Sequence, residues 1–334
     1  MNKNRDNSLD IISGIMITWM VVYHIFMWAG LTGHPIYKIP LQWLFFFMPW
    51  FYFKSGMHQK LNTELSIINY IINNTNSLIV PLIIWTTIGI LVSIPEMLFF
   101  KDYPLWKILI EPFYKIMLSG DTYGNPPLWF LCSLFIVKII GYYLIKQSKY
   151  TISIFLLLCI GAGIILSKLF ILLPLGIHNV VIGIIFYYSG YIYKNELSKI
   201  KTNHVVLSLA TSIFIIINLL SPSYIDIHLN ILKYGSYFGY FILSIFAIIL
   251  SIRLLENKKC EPLAWIGRKS MYILVMHWPI LTIIKDIYET CNLTTKGLEY
   301  SYVLLAVTFP LLIFLSARIP PTILNYDKIH HIIG

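Results

Sequence analysis

The run LDIISGIMITWMVVYHIFMWAGL, Leu9–Leu31, decides the class of this protein. A helix needs roughly 20 apolar residues to cross about 30 Å of hydrocarbon, and this run supplies them. Lys3 and Arg5 precede it as they would precede a secretory leader. The apolar stretch is too long for a leader's core, so it reads as a retained first span. Working outward with the same ruler gives ten candidate spans, near 9–30, 40–57, 70–94, 127–146, 151–173, 176–194, 204–221, 231–252, 268–288 and 299–318. The composition agrees: 57% of the 334 residues are hydrophobic and only 12% charged, where soluble domains carry about 25% charged residues. No stretch is polar enough to close a soluble domain. The chain reads as an all-α integral membrane protein, about ten transmembrane helices in one bundle.

The 25 basic residues, with a formal net charge of +10, form no stripe that would suit nucleic acid. They sit mostly in short loops. With the N-terminus inside, 16 of them fall in inner segments and seven in outer ones, while the acidic residues split 7 to 8. A bias confined to positive charge is what the positive-inside rule requires, so both termini are expected in the cytoplasm. Cys132, Cys159, Cys260 and Cys291 are far apart and signal neither a metal site nor a disulfide framework. The outer segment of about 95–126 is too long and too apolar for a plain loop. Its Leu105, Trp106, Leu109, Ile110 and Phe113 alternate with Lys107, Glu111 and Lys115 at helical spacing. That suits either an anchor in the headgroup plane or a lid over a site.

Ionisable side chains within spans are costly, and each is a functional candidate by default. His24 follows Asp10 by fourteen residues and Ser13 by eleven, both close to whole numbers of helical turns. The three share one face, Ser13 lying roughly 16 Å below His24, so a polar stripe is expected along the first span. A neutral imidazole at its upper end suits removal of a proton from a hydroxyl; equally, it suits a hydrogen bond between helices. Lys54 ends the second span at the depth of Asp10 and Ser13, either as part of a site or as a lysine snorkelling to the inner edge. Ser55-Gly56 follows it and allows close backbone approach. Asn125-Pro126-Pro127-Leu128-Trp129 opens the fourth span, and His277 stands mid-way along the ninth, followed by Trp278-Pro279. A proline there frees a carbonyl and is common beside cavities. His178-Asn179 reads as an edge pair, and His34, His58, His204, His228, His330 and His331 read as loop residues.

Four segments together resemble the acyltransferase 3 family of integral-membrane O-acyltransferases, especially its sugar and exopolysaccharide O-acetylases. They are RDNSLDIISGIMITWMVVYH (Arg5–His24), FFFMPWFYFKSGM (Phe45–Met57), PLWFLCSLF (Pro127–Phe135) and WIGRKSMYILVMHWPI (Trp265–Ile280), in the family's order along nearly the whole chain. The resemblance implies one membrane-embedded acyltransferase domain over 1–334, in a bacterial inner membrane. Its reaction would take an acyl group, usually acetyl from cytoplasmic acetyl-CoA, to a carbohydrate hydroxyl. Acyl-CoA is a co-substrate and no bound cofactor or metal is implied. The family's first-helix histidine maps onto His24 as catalytic base. A basic residue commonly stands eleven positions earlier, and here that position is Ser13. Lys54 is expected to supply the missing charge near Asp10 and the CoA phosphates, with Lys60, Arg268 and Lys269 adding to an inner anionic site. Trp129 would stack on a sugar, Asn125 and Ser55 would belong to the substrate path, Glu111 or Asp121 would orient the imidazole or grip the acceptor, and His277 would be a second acid/base or cavity wall.

Two other readings stand beside this one. A transporter or flippase for a polysaccharide or small molecule would also use ten spans, in-membrane histidines and a proline-interrupted helix. Against it, the halves show no internal repeat and intramembrane carboxylates are scarce. A non-catalytic scaffold would explain Ser13. Homo-oligomerisation is left open by the sequence.

Overall fold

The computed structural model describes residues 7–59, 66–100, 104–199 and 203–318. Helix α1 (Ser8–Trp28) is followed by α2 (Pro35–Leu44) and α3 (Phe47–Met57). Helix α4 (Ile67–Asn74) runs through a π-helical turn, Thr75–Ile79, into α5 (Val80–Pro95). Then come α6 (Leu105–Ser119), α7 (Trp129–Leu144), α8 (Lys149–Leu169), α9 (Ile177–Ile192) and α10 (His204–Leu220). An antiparallel hairpin of β1 (Tyr224–Asp226) and β2 (Ile231–Tyr234) precedes α11 (Tyr237–Leu255), α12 (Glu261–Arg268), α13 (Ser270–Thr290) and α14 (Leu298–Arg318).

Among the described residues, eight helices are long and apolar enough to cross a bilayer, and the protein is a multi-pass, all-α membrane protein. Two of the ten expected spans are not among these eight, and a third begins later than expected. The second is broken at Phe45–Phe46 into α2 and α3, with Pro49 in the first turn of α3, where a missing N–H leaves no hydrogen bond unmade. The seventh, α10, has 17 residues, a turn short of a full crossing. The eighth was expected to begin at 231, yet residues 231–234 pair as a strand and the helix begins at Tyr237. Large apolar side chains left exposed on α8 and α10, such as Leu157, Leu158, Leu209 and Leu220, provide a lipid-facing surface.

Helix α1 is apolar on all sides and runs through the interior, with Ile12, Ile17, Val21 and Ile25 at most 1% exposed. Two glycines seat it. A Cβ on Gly267 of α12 would lie 1.8 Å from the Asp10 carbonyl oxygen, and one on Gly14 would lie 2.1 Å from that of Leu263. The backbones of α1 and α12 therefore touch where Asp10 and Ser13 emerge. At its other end α1 meets α13 and the β-hairpin. These two contacts define the two ends of the bundle, an α12 end and a hairpin end.

Candidate active site

At the α12 end, Ser13 donates through Oγ to the Leu9 carbonyl at 2.8 Å and accepts from Trp50 Nε1 at 3.0 Å and Lys54 Nζ at 3.2 Å. Lys54 Nζ is 3.6 Å from Asp10 Oδ1, and Arg268 reaches Asp10 Oδ2 at 3.9 Å while also pairing with Glu261. Lys54 and Asp10 are both buried, so the two charges stabilise each other where either alone would be costly. The lysine thus stands beside the serine that occupies the position of the expected cation. Lys269 lies over the Tyr272 ring at 5.0 Å, and burial pulls its pKa down from the usual lysine value. Ser55 is buried, and its hydroxyl has no hydrogen-bond partner among the described residues. Lys60 lies outside the described residues.

At the hairpin end, His24 stands against His277, with Nδ1 of His24 3.1 Å from Nε2 of His277. Nδ1 of His277 is 2.8 Å from the Leu274 carbonyl and 3.1 Å from that of Ile273. A carbonyl only accepts, so His277 carries its proton on Nδ1. Its Nε2 is then an acceptor, and Nδ1 of His24 must be the donor. The chain of bonds leaves Nε2 of His24 with a free lone pair. His277 is fully buried, and its helix is shaped for this contact. Pro279 cannot donate to the Val275 carbonyl, and Asn125 Nδ2 takes that place at 2.9 Å. Asn125, fully buried, therefore ties the start of α7 to the broken turn of α13.

His24 lines a cavity of about 270 Å³ together with Tyr23, Trp129, Tyr224, His228 and Trp278. The Trp278 ring meets His24 edge-on at 5.4 Å. Trp129 lies flat on His228, centroids 5.2 Å apart and planes 16° from parallel. His228 sits in the turn between β1 and β2, and its carbonyl accepts from Nε2 of His178 at 3.1 Å; Nδ1 of His178 accepts from the Leu173 amide at 3.0 Å, which fixes that tautomer. Burial lowers the pKa of His228 against the opposing pull of Asp226 and Asp121. The roof of the cavity is the hairpin, while among the described residues of the segment at 95–126 Pro126 alone lines it.

Several expectations about individual residues change with this geometry. His228 and His178, read as loop and edge residues, belong to the cavity wall and its support. Neither Glu111 nor Asp121 lines the His24 cavity. Glu111 is buried in an ion pair with Lys115 at 2.9 Å, and Asp121 lines a neighbouring cavity; the partner of the His24 imidazole is His277. The stripe from Ser13 to His24 is polar only at its ends. Between them Ile17 and Met20 line an apolar slot with Met48, Phe51, Leu134 and Met271, a space of about 30 Å³.

The sequence profile of the acyltransferase 3 family, an acyltransferase domain, matches residues 6–322. The chain belongs to this acyltransferase family. Among curated proteins and solved structures, no match was found.

Proposed function

We propose that this membrane acyltransferase is an O-acetyltransferase, moving acetyl from cytoplasmic acetyl-CoA to a hydroxyl of a cell-surface polysaccharide or lipid-linked sugar. The observation that carries the reading is the His277–His24 hydrogen bond, which presents Nε2 of His24 as a base at the wall of an aromatic cavity. The acceptor hydroxyl gives its proton to Nε2 as its oxygen bonds to the thioester carbon. The resulting imidazolium shares its charge through Nδ1–H with His277, whose own Nδ1–H faces two helix carbonyls. Tyr23 and Tyr224 hold phenol groups on the same wall, as donors for the developing oxyanion. The C–S bond breaks as the carbonyl re-forms, and the proton passes from His24 to the CoA sulfur.

The anionic end of acyl-CoA would meet Lys54, Arg268 and Lys269 at the α12 end, which this reading places in the cytoplasm of a bacterial inner membrane. The hairpin end then faces outward and receives the sugar, with Trp129 and Trp278 offering ring faces to it. His24 and Ser13 are eleven residues apart, or roughly 16 Å along the helix, and the pantetheine arm would cover that distance through the apolar slot. In this structure the slot has room for little more than a water molecule of about 30 Å³. Met20, Met48 and Met271 line it, and their unbranched chains can move aside. No cofactor takes part in this reaction. The test is release of free CoA from acetyl-CoA by purified protein supplied with candidate glycans. Turnover abolished in a folded His24→Ala variant is expected, and equal CoA release by both proteins would refute the assignment.

A further inference from the structure

Beside the His24 cavity lies a second one of about 540 Å³, for which the reaction above has no use. Pro126 and Trp278 line both, so the two are adjoining rooms with the Trp278 indole as part of the dividing wall. That ring meets His24 on one side at 5.4 Å and Trp28 on the other at 5.0 Å, nearly perpendicular to each. Anything that bridges the two cavities passes this indole.

The chemistry of the second room is specific. Glu96, Asp121 and Glu289 oppose Lys115, Lys285 and Lys296 around it, three carboxylates to three ammonium groups. Lys285 is held 2.6 Å from Glu96 and 3.4 Å from Glu289. A balanced set of this kind repels neither sign and offers no excess cation for a phosphate or sulfate. It offers both acceptors and donors, which hydroxyl groups, being both, satisfy. Aromatic faces accompany them in Trp28, Tyr123 and Trp278, as apolar sugar faces require. One further group points to a missing ligand. Tyr300 lines the cavity and is 3% exposed, yet its hydroxyl has no hydrogen-bond partner among the described residues. A buried, unmatched hydroxyl of this kind calls for an explanation; the oxygen is closed off from the cavity in this structure, and a small turn of the ring toward the cavity would bring it to a ligand hydroxyl.

We infer that this cavity is a second sugar subsite, which holds the neighbouring residue of an uncharged oligosaccharide while the hydroxyl to be acylated lies at His24. The inference rests on the acyl-transfer reading for the identity of the first subsite. It assigns the acceptor to at least disaccharide length and makes Trp278 the residue over which the glycosidic linkage passes.

The experiment is a titration of the protein in lipid nanodiscs, without acyl donor, with methyl glycosides of glucose and N-acetylglucosamine and with their β-1,4-linked di- and trisaccharides. Binding is followed by tryptophan fluorescence, and CoA release from acetyl-CoA is measured with the same set. A disaccharide is expected to bind at least about tenfold more tightly than its monosaccharide. Tyr300→Phe, which removes one hydroxyl and leaves the ring packing in place, should remove about five- to tenfold of that advantage and leave monosaccharide binding unchanged. Lys285→Met should act in the same direction. Equal affinity for all lengths, an equal loss on both lengths in Tyr300→Phe, or no binding of any saccharide overturns the second subsite. Length-dependent binding that Tyr300→Phe abolishes, with no CoA release from any member, sustains the subsite and refutes acyl transfer.

Discussion

Replacing His277 separates positioning from proton transfer in the proposed reaction. His277 is not among the residues that line the His24 cavity; its ring nitrogens bond to Nδ1 of His24 and to the carbonyls of its own helix. His277→Leu keeps an apolar side chain in a fully buried position and deletes the acceptor for Nδ1–H of His24. The imidazole then loses the acceptor that ties its Nδ1–H to α13, and keeps the Met20 backbone of its own helix and the Tyr23 and Trp278 rings as neighbours. Loss of one buried hydrogen-bond partner costs about 1–3 kcal/mol, which at about 1.4 kcal/mol per decade is roughly a five- to 150-fold fall in kcat. His24→Ala, which removes the base itself, should lose about 10²- to 10⁴-fold. His277→Gln retains a carbonyl oxygen able to accept from Nδ1 and should fall between wild type and His277→Leu.

The assay is the initial rate of CoA release at saturating acetyl-CoA with varied acceptor, after each variant has been shown to keep its thermal midpoint in detergent. The kcat should fall while KM for the acceptor is unchanged, since no cavity wall has altered. Wild-type kcat in a folded His277→Leu variant would refute the relay. So would a loss confined to KM, because that would make His277 a binding residue.

Lys54→Met should raise the apparent KM for acyl-CoA at least about tenfold, as loss of a charge-assisted contact of about 1.5–3 kcal/mol implies, and Ser13→Lys in that background should recover part of it; an unchanged KM in Lys54→Met sinks this role for the lysine. Gly267→Ala should lower stability by about 1–3 kcal/mol, because its Cβ would sit 1.8 Å from the Asp10 carbonyl oxygen; an unaltered thermal midpoint would show that the two backbones can separate freely. The depressed pKa of His228 carries a sign: the folded state binds fewer protons there than the unfolded one, so this contribution is complete above about pH 6.5 and is lost as pH falls below it. The protection factors of residues 224–234, taken against the intrinsic exchange rate at each pH, should therefore fall between about pH 6.5 and 5 in the wild type, with a smaller change in His228→Gln, and identical profiles would remove His228 from the account.

The helical class, most span positions and the Asp10–Ser13–Lys54 grouping were legible because each follows from local periodicity and depth. One helical repeat puts Asp10, Ser13 and His24 on a face, and the span direction returns Lys54 to the level of Ser13. The His24–His277 pair was not legible, since nothing in spacing alone says which face of α13 meets α1 across 253 residues of chain. Pro279 and the polar Asn125 were the available signals, and their contact through the Val275 carbonyl joins both to the site. The β-hairpin was missed for a different reason. The scan for long apolar runs absorbed residues 231–234 into a span, and nothing in their local spacing says that they pair with Tyr224–Asp226 across the turn at 227–230.

The stripe along α1 shows why the middle of the path is apolar. A continuous polar file from Asp10 to His24 would give water a route between the two ends, and water at the thioester competes with the sugar hydroxyl. The structure instead closes the centre with Ile17, Met20, Met48 and Met271, with the Asp10–Lys54–Arg268 ion group at the α12 end and His24 among aromatic rings at the hairpin end. Each end then matches one substrate of the proposed reaction, phosphate-bearing CoA at the first and a sugar at the second. The only part of acetyl-CoA that has to enter the centre is the slender pantetheine arm, and once there it fills the slot and excludes water by its own bulk. Met20, Met48 and Leu274 line both the slot and the His24 cavity, so in the proposed reaction the base would meet the thioester at the point where the apolar barrier ends.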